Sequence, residues 1–234
     1  MNSVLISEKA NPIIKEYLKN SNYNVINVKK TNAVYKAVSS HTDIYICKVG
    51  EEIIIAKEQL KLLQKDLKIN KIKYKEGASL LGYSYPSNII YNAVHMGNYF
   101  IHNTKYTDAA VLDSAHRKGL EILHVKQGYT NCSLVVIDDD SVITSDKGLS
   151  RVLKMNNIDV LEIQQGSVRL EGFEYGFLGG ASGKIGDTIL FNGNLEYHPD
   201  YMKIKQFIDR KGFGVKYFTE YLLEDIGSIV TINN

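Results

Sequence analysis

The feature that most limits what this chain can fold into is a repeated order of elements. Apolar runs and turn residues read as strand, turn, strand, helix, strand, and this order recurs with first strands read as beginning at Asp43, Asn88, Cys132 and Tyr175. Those starts lie about 44 residues apart, a spacing typical of repeat architectures. In the first unit, Asp43 to Cys47 pairs with Glu52 to Ala56 through Val49-Gly50, the helix Glu58 to Leu67 follows, and Lys71 to Lys75 closes it. The second unit runs from Asn88 to Gly128, and the third has strands Ser133 to Ile137, Val142 to Ser145 and Asp159 to Ile163. The fourth reads as a hairpin of Tyr175 to Leu178 with Thr188 to Phe191, joined by a glycine-rich tip from Gly179 to Gly186.

Two details support the repeat. Asn22, Asn70, Gly119, Asn157 and Gly212 stand where helices end, each suited to a left-handed C-cap. Third strands close on Lys75-Glu76-Gly77, Lys126-Gln127-Gly128 and Gln164-Gln165-Gly166. At the ends, Ser3 to Ser7, a helix capped by Asn11-Pro12 and Val25 to Val28 make a unit lacking one strand, and Ser228 to Ile232 is a strand lacking its unit. Together they complete a fifth unit shared between the N- and C-termini. A closed ring would hide strand edges that an open array exposes.

Composition excludes several classes. With 44% apolar residues in 234, the chain can bury a sizeable core, here read as one domain over 1–234. Twenty-eight basic residues are interspersed with 26 acidic ones, so no field of one sign invites nucleic acid or an anionic membrane. No apolar run approaches the roughly 18 residues that span a bilayer, and the N-terminus lacks the pattern of a signal peptide. Two cysteines, Cys47 and Cys132, form no C-x-x-C pair and fit a reducing, cytoplasmic setting. No two histidines stand at metal-ligand spacing with an acidic companion, so neither a metal nor a cofactor is expected.

If the first strands begin on a common axis, their starts gather His41, Asp43, Asn88, Asn92, Asn131, Cys132, Glu174 and Glu224-Asp225 around one cavity. Carboxylates in such a set suit a planar cation, to which they present bidentate acceptors. Cys132 admits two readings, a nucleophile or a small buried apolar residue sharing strand parity with Leu134 and Val136. His41 likewise either acts with Asp43 or bonds a nearby carbonyl, and Cys47 reads as structural. Gly179 to Lys184 lacks the spacing of a phosphate loop and reads as a mobile tip or gate; Asp138-Asp139-Asp140 reads as a solvated turn.

Five ββαβ units with the first split between the termini resemble the pentein fold, the five-fold pseudo-symmetric α/β propeller of guanidine-modifying hydrolases, deiminases and amidinotransferases. His41-Thr42-Asp43 resembles that family's His-x-Asp motif, with strand alternation placing both side chains on one face. The resemblance implies a small cationic guanidino or amidino ligand, Cys132 as nucleophile, His41 as proton shuttle, and Asp43, Asn88, Asn92, Asn131, Glu174 and Asp225 as substrate-binding residues. No cysteine follows Cys132, whereas the family's nucleophile lies near the C-terminus. Two alternatives therefore stand: catalytic groups moved around the pseudo-symmetric ring, or a non-catalytic module binding a metabolite or a ribosomal or protein surface.

Overall fold

The computed structural model describes residues 2–233; Met1 and Asn234, the ends of the expected domain, lie outside the described residues. It contains five three-stranded sheets, each with one antiparallel and one parallel pair. The chain opens with β1 (Ser3–Ser7), α1 (Pro12–Asn20) and β2 (Asn24–Val28). A helical turn, α2 (Thr42–Tyr45), leads into β3 (Ile46–Val49), β4 (Glu52–Ile55), α3 (Lys57–Ile69) and β5 (Lys75–Glu76). Next come β6 (Val94–Met96), β7 (Tyr99–His102), α4 (Ala109–Arg117) and β8 (Glu121–His124). A second helical turn, α5 (Thr130–Ser133), precedes β9 (Val135–Val136), β10 (Ser141–Thr144), α6 (Lys147–Met155) and β11 (Asp159–Glu162). The last unit is β12 (Ser182–Ile185), β13 (Thr188–Phe191), α7 (Tyr201–Arg210) and β14 (Gly214–Lys216), and β15 (Val230–Ile232) pairs antiparallel with β1, Leu5 opposite Val230. The two ends of the chain thus share one sheet, as the unpaired strands in the sequence required.

Each long helix turns an apolar stripe inward and packs across two neighbouring sheets. Leu63 and Leu67 of α3 meet Ile53 to Ile55 of their own sheet and Ile26 and Val28 of β2. Leu149 and Leu153 of α6 pack with Val142 of β10 and with Val94 and Ile101 of the preceding sheet. At about 1.5–3 kcal/mol for each fully buried aliphatic side chain, these shared clusters tie consecutive units together. Among the described residues no helix is long and apolar enough to cross a membrane.

The structure departs from the sequence reading at the strand starts. Asp43 and Cys132 do not open strands: they sit in α2 and α5, single helical turns that precede β3 and β9. Between Asn88 and Ala93 the chain also turns, Asn92 N donating to Ile89 O at 2.8 Å, before β6 begins at Val94. Such turns are too short for a 3.6-residue period to mark, and their polar residues bond locally rather than along a ladder. Strand alternation therefore does not place His41 and Asp43; a helical turn does.

The glycine-rich segment is likewise not a hairpin tip. It forms a turn at Gly179-Gly180 and then β12 itself, and the hairpin turns at Gly186, φ +56°. A Cβ on Gly179 would lie 2.5 Å from the carbonyl oxygens of Cys132 and Leu134, so the segment is glycine because backbone passes over backbone there. Tyr175 to Leu178 is not a strand. The left-handed cap expected at Asn70 falls one residue later, at Lys71, φ +54°.

Candidate functional site

The turns before the five first strands bring their polar residues together. Cys132 donates its thiol to Asp43 Oδ2 at 3.1 Å, and Asn92 Nδ2 donates to Cys132 Sγ at 3.2 Å and to Asp43 O at 3.3 Å. Asn92 Oδ1 in turn accepts from the backbone N–H groups of Asn131 and Cys132, at 2.8 and 3.3 Å. Ser228 donates its hydroxyl to Asp43 Oδ2 at 2.7 Å and accepts from Asn131 Nδ2 at 3.1 Å. Asp225 takes the N–H groups of Phe177 and Gly227 at 2.9 and 3.0 Å, one on each carboxylate oxygen. His41 Nδ1 stands 3.6 Å from Asp225 Oδ1, beyond hydrogen bonding.

Of the residues singled out from sequence, His41, Asp43, Asn92, Cys132 and Asp225 are buried in this cluster. Asn131 forms its edge and is half-buried. Asn88 is fully buried but bonds outward, Nδ2 to the Tyr129 hydroxyl at 2.9 Å. Glu174 is exposed and is not brought to the cluster.

Burial dominates the electrostatics. It pushes the His41 imidazole down to about 4, against the pull of Asp43, so the ring is neutral at ordinary pH. It raises Asp225 to about 6, opposed by the N–H groups of Phe177 and Gly227. Asp43 is raised by burial against the opposing effect of His41, and Cys132 is pushed well up, by burial first and then by the Asp43 carboxylate. In this state Cys132 is a neutral thiol, donating rather than attacking. Cys47 differs in its partner: its thiol points at Ala93 O, 3.8 Å away, and burial pushes it up to about 12.

Four buried polar atoms here have no hydrogen-bond partner: His41 Nδ1, Thr42 Oγ1, Asp43 Oδ1 and Asn88 Oδ1. Buried acceptors are rarely left so, because each forfeits its hydration without replacement. Above the cluster, Tyr35 and Tyr129 meet hydroxyl to hydroxyl at 3.0 Å, and Tyr35 lies close enough to Cys132 and Asp225 for both to raise it after burial itself. Phe173, Phe177, Tyr85 and Tyr106 extend these rings into an aromatic roof, with Phe173 and Tyr85 about half exposed. Ser228 and the two tyrosines escaped the sequence reading. The signal for Ser228 was its place before the last first strand, matching Asp43 before β3 and Cys132 before β9.

No curated protein sequence matches the chain. Among solved structures, it is similar to dimethylarginine dimethylaminohydrolase from Pseudomonas aeruginosa, a cysteine-to-serine mutant complexed with citrulline, at 9% identity and TM-score 0.56 over 93% of this chain and 91% of that one. A Campylobacter jejuni agmatine deiminase aligns at 10% identity and TM-score 0.55, over 93% and 87% of the two chains. SxtG, an amidinotransferase from Microseira wollei, aligns at 13% identity and TM-score 0.52, over 94% and 88%. These likenesses establish the fold alone, which is that of the pentein superfamily. The family described as "Family of unknown function (DUF6873)" matches residues 5–230, and the chain belongs to it.

Proposed function

We propose that the chain is one pentein-like domain whose five units close into an α/β propeller, and that its buried cluster binds a small guanidino or amidino cation. The observation that carries the ligand reading is the pair of fully buried acceptors, Asp43 Oδ1 and Asn88 Oδ1, left without donors. A planar cation offers several N–H donors in one plane and a charge that offsets two buried carboxylates, Asp43 and Asp225. The aromatic roof supplies ring faces for the same charge. The neighbouring folds belong to enzymes whose names state guanidino chemistry, which favours the same ligand class.

A bound cation would also reverse the thiol's electrostatics, since an opposite charge nearby favours the thiolate. In the catalytic form of the reading, the Cys132 proton passes to Asp43 Oδ2 and sulfur bonds to the amidinium carbon. The carbon–nitrogen bond to the leaving amine then breaks, and the proton held by Asp43 returns to that amine. His41, neutral beside Asp225, serves the second step, taking a proton from the attacking water and returning it to the departing sulfur. Water then releases the thioether carbon as product and restores the thiol. The raised thiol and the lack of a cationic neighbour favour a second reading, binding without turnover.

Calorimetric titration with agmatine and with arginine tests the binding. We expect saturable binding of at least one, lost by about a hundredfold in Asp43→Asn, the size of a buried charged hydrogen bond. Binding of neither overturns the reading. Release of amine or ammonia that Cys132→Ala abolishes selects the catalytic form; binding without release selects the other.

A further inference from the structure

The five first strands leave between them a cavity of about 560 Å³, within the range of small-molecule sites. Its wall is apolar at Ile46, Val94, Val135 and Ile229, and its floor is Asn131, Ser228 and Gly179. That floor is the outer side of the buried cluster: Asn131 spends its amide N–H on Ser228 Oγ, while its Oδ1 has no hydrogen-bond partner among the described residues.

The wall strands carry a charge of one sign. An edge strand facing a cavity presents bare carbonyls, and two of these are met by lysines: Lys48 Nζ donates to Thr231 O at 3.0 Å and Lys184 Nζ to Ile137 O at 2.8 Å. An ammonium has three donors, so Lys48 retains two, while Lys184 Nζ also turns one side to the Phe213 ring, 4.0 Å from its centroid. The acidic residues of the cavity, Glu51, Asp138 and Asp139, stand instead at the turns on its rim. Asp138 is turned back on its own loop, accepting from Asp140 N at 3.1 Å and from the Ser141 hydroxyl at 2.5 Å.

We propose that this axial cavity is a second binding site, taking a small organic anion with an apolar body, its charge against Lys48 and Lys184 and its body against Ile46, Val94, Val135 and Ile229. The site is separate from the cation site beneath it and of opposite charge preference, and it does not depend on the function proposed above. A ligand reaching the floor would meet Asn131 Oδ1 and, through Asn131 and Ser228, the hydroxyl that holds Asp43.

Methyl-resolved NMR titration of the intact protein tests this with hexanoate, and with hexylammonium as the same body carrying the opposite charge. We expect saturable shifts at Ile46, Val94, Val135 and Ile229 with hexanoate and none with hexylammonium. Lys48→Met should weaken hexanoate about fivefold, the size of a partly exposed ion pair, and Lys184→Met repeats the charge test should the first variant not fold. No saturable shift with hexanoate up to its solubility, or equal binding of hexylammonium, overturns the proposal. Neither result bears on agmatine binding, which reads the other site.

Discussion

His41 and His102 are both buried and both held at about 4, yet they stand in opposite surroundings. His102 bonds the Thr107 hydroxyl through Nδ1 at 2.7 Å and Gly128 O through Nε2 at 3.1 Å, so each ring nitrogen is used. His41 Nδ1 has no hydrogen bond, standing 3.6 Å from Asp225 Oδ1, and only the Asp225 backbone acts on the ring as a hydrogen-bond partner. Burial alone neutralises an imidazole in either place. What separates a structural histidine from a candidate functional one here is whether the fold has already satisfied it.

The largest effect expected from this contrast is on stability. His102→Leu leaves the Gly128 carbonyl buried without its partner and takes one partner from the half-buried Thr107 hydroxyl, which still reaches Asn103 O, and should cost about 2 kcal/mol in chemical denaturation. His41→Leu loses no hydrogen bond to Nδ1 and should cost about 1 kcal/mol or less. Equal losses would abolish the distinction drawn between the two sites.

Acid titration should sharpen the contrast within the cluster. His41 falls from 6.5 to about 4 on folding, so its contribution is complete above 6.5 and is lost as pH falls towards 4. Asp225 rises from 3.8 to about 6, so its contribution is complete below 3.8 and is lost as pH rises through 6. Between pH 6.5 and 4 the two oppose each other. Relative to the unaltered protein, His41→Asn should gain about 2 kcal/mol over that descent and Asp225→Asn should lose about 2 kcal/mol. Denaturation curves of both variants that run parallel to the unaltered one would refute this account of the cluster.

A smaller effect is expected at the roof. Tyr129→Phe removes the hydroxyl that takes the Asn88 amide and meets Tyr35, and should cost about 1 kcal/mol. Measured beside Tyr35→Phe, the double variant should cost less than the two single variants together, because both remove the same contact. Full additivity would mean that the two phenols do not act as one contact.

Much of the architecture was legible because the order of apolar runs survives even where their edges do not. Leu63 and Leu67 marked α3, Asn11-Pro12 marked α1, and the unpaired strand at Ser228 to Ile232 predicted its pairing with β1. The turns at Thr42–Tyr45 and Thr130–Ser133 were not legible, since four residues carry no period and Asp43, Asn131 and Cys132 have no strong helical preference. Those turns, rather than the strands, gather the site. The same gap explains Glu174: it was placed by counting back from a first strand that begins at Ser182, not at Tyr175. The partnering of Cys132 with Asp43 and Asn92 instead of with His41 depends on three loops meeting, which no local pattern records.

The pairing of β15 with β1 also bears on how the molecule is made. Leu5 is made long before Val230 and waits for it before its sheet has a third strand, so a contact this distant in sequence is among the last to form. Asp225 and Ser228 arrive with that strand. Until then Asp43 lacks the hydroxyl that holds its Oδ2, and a partly synthesised chain can assemble helices and sheets without possessing the cluster. The cluster is therefore complete only when the last strand is in place.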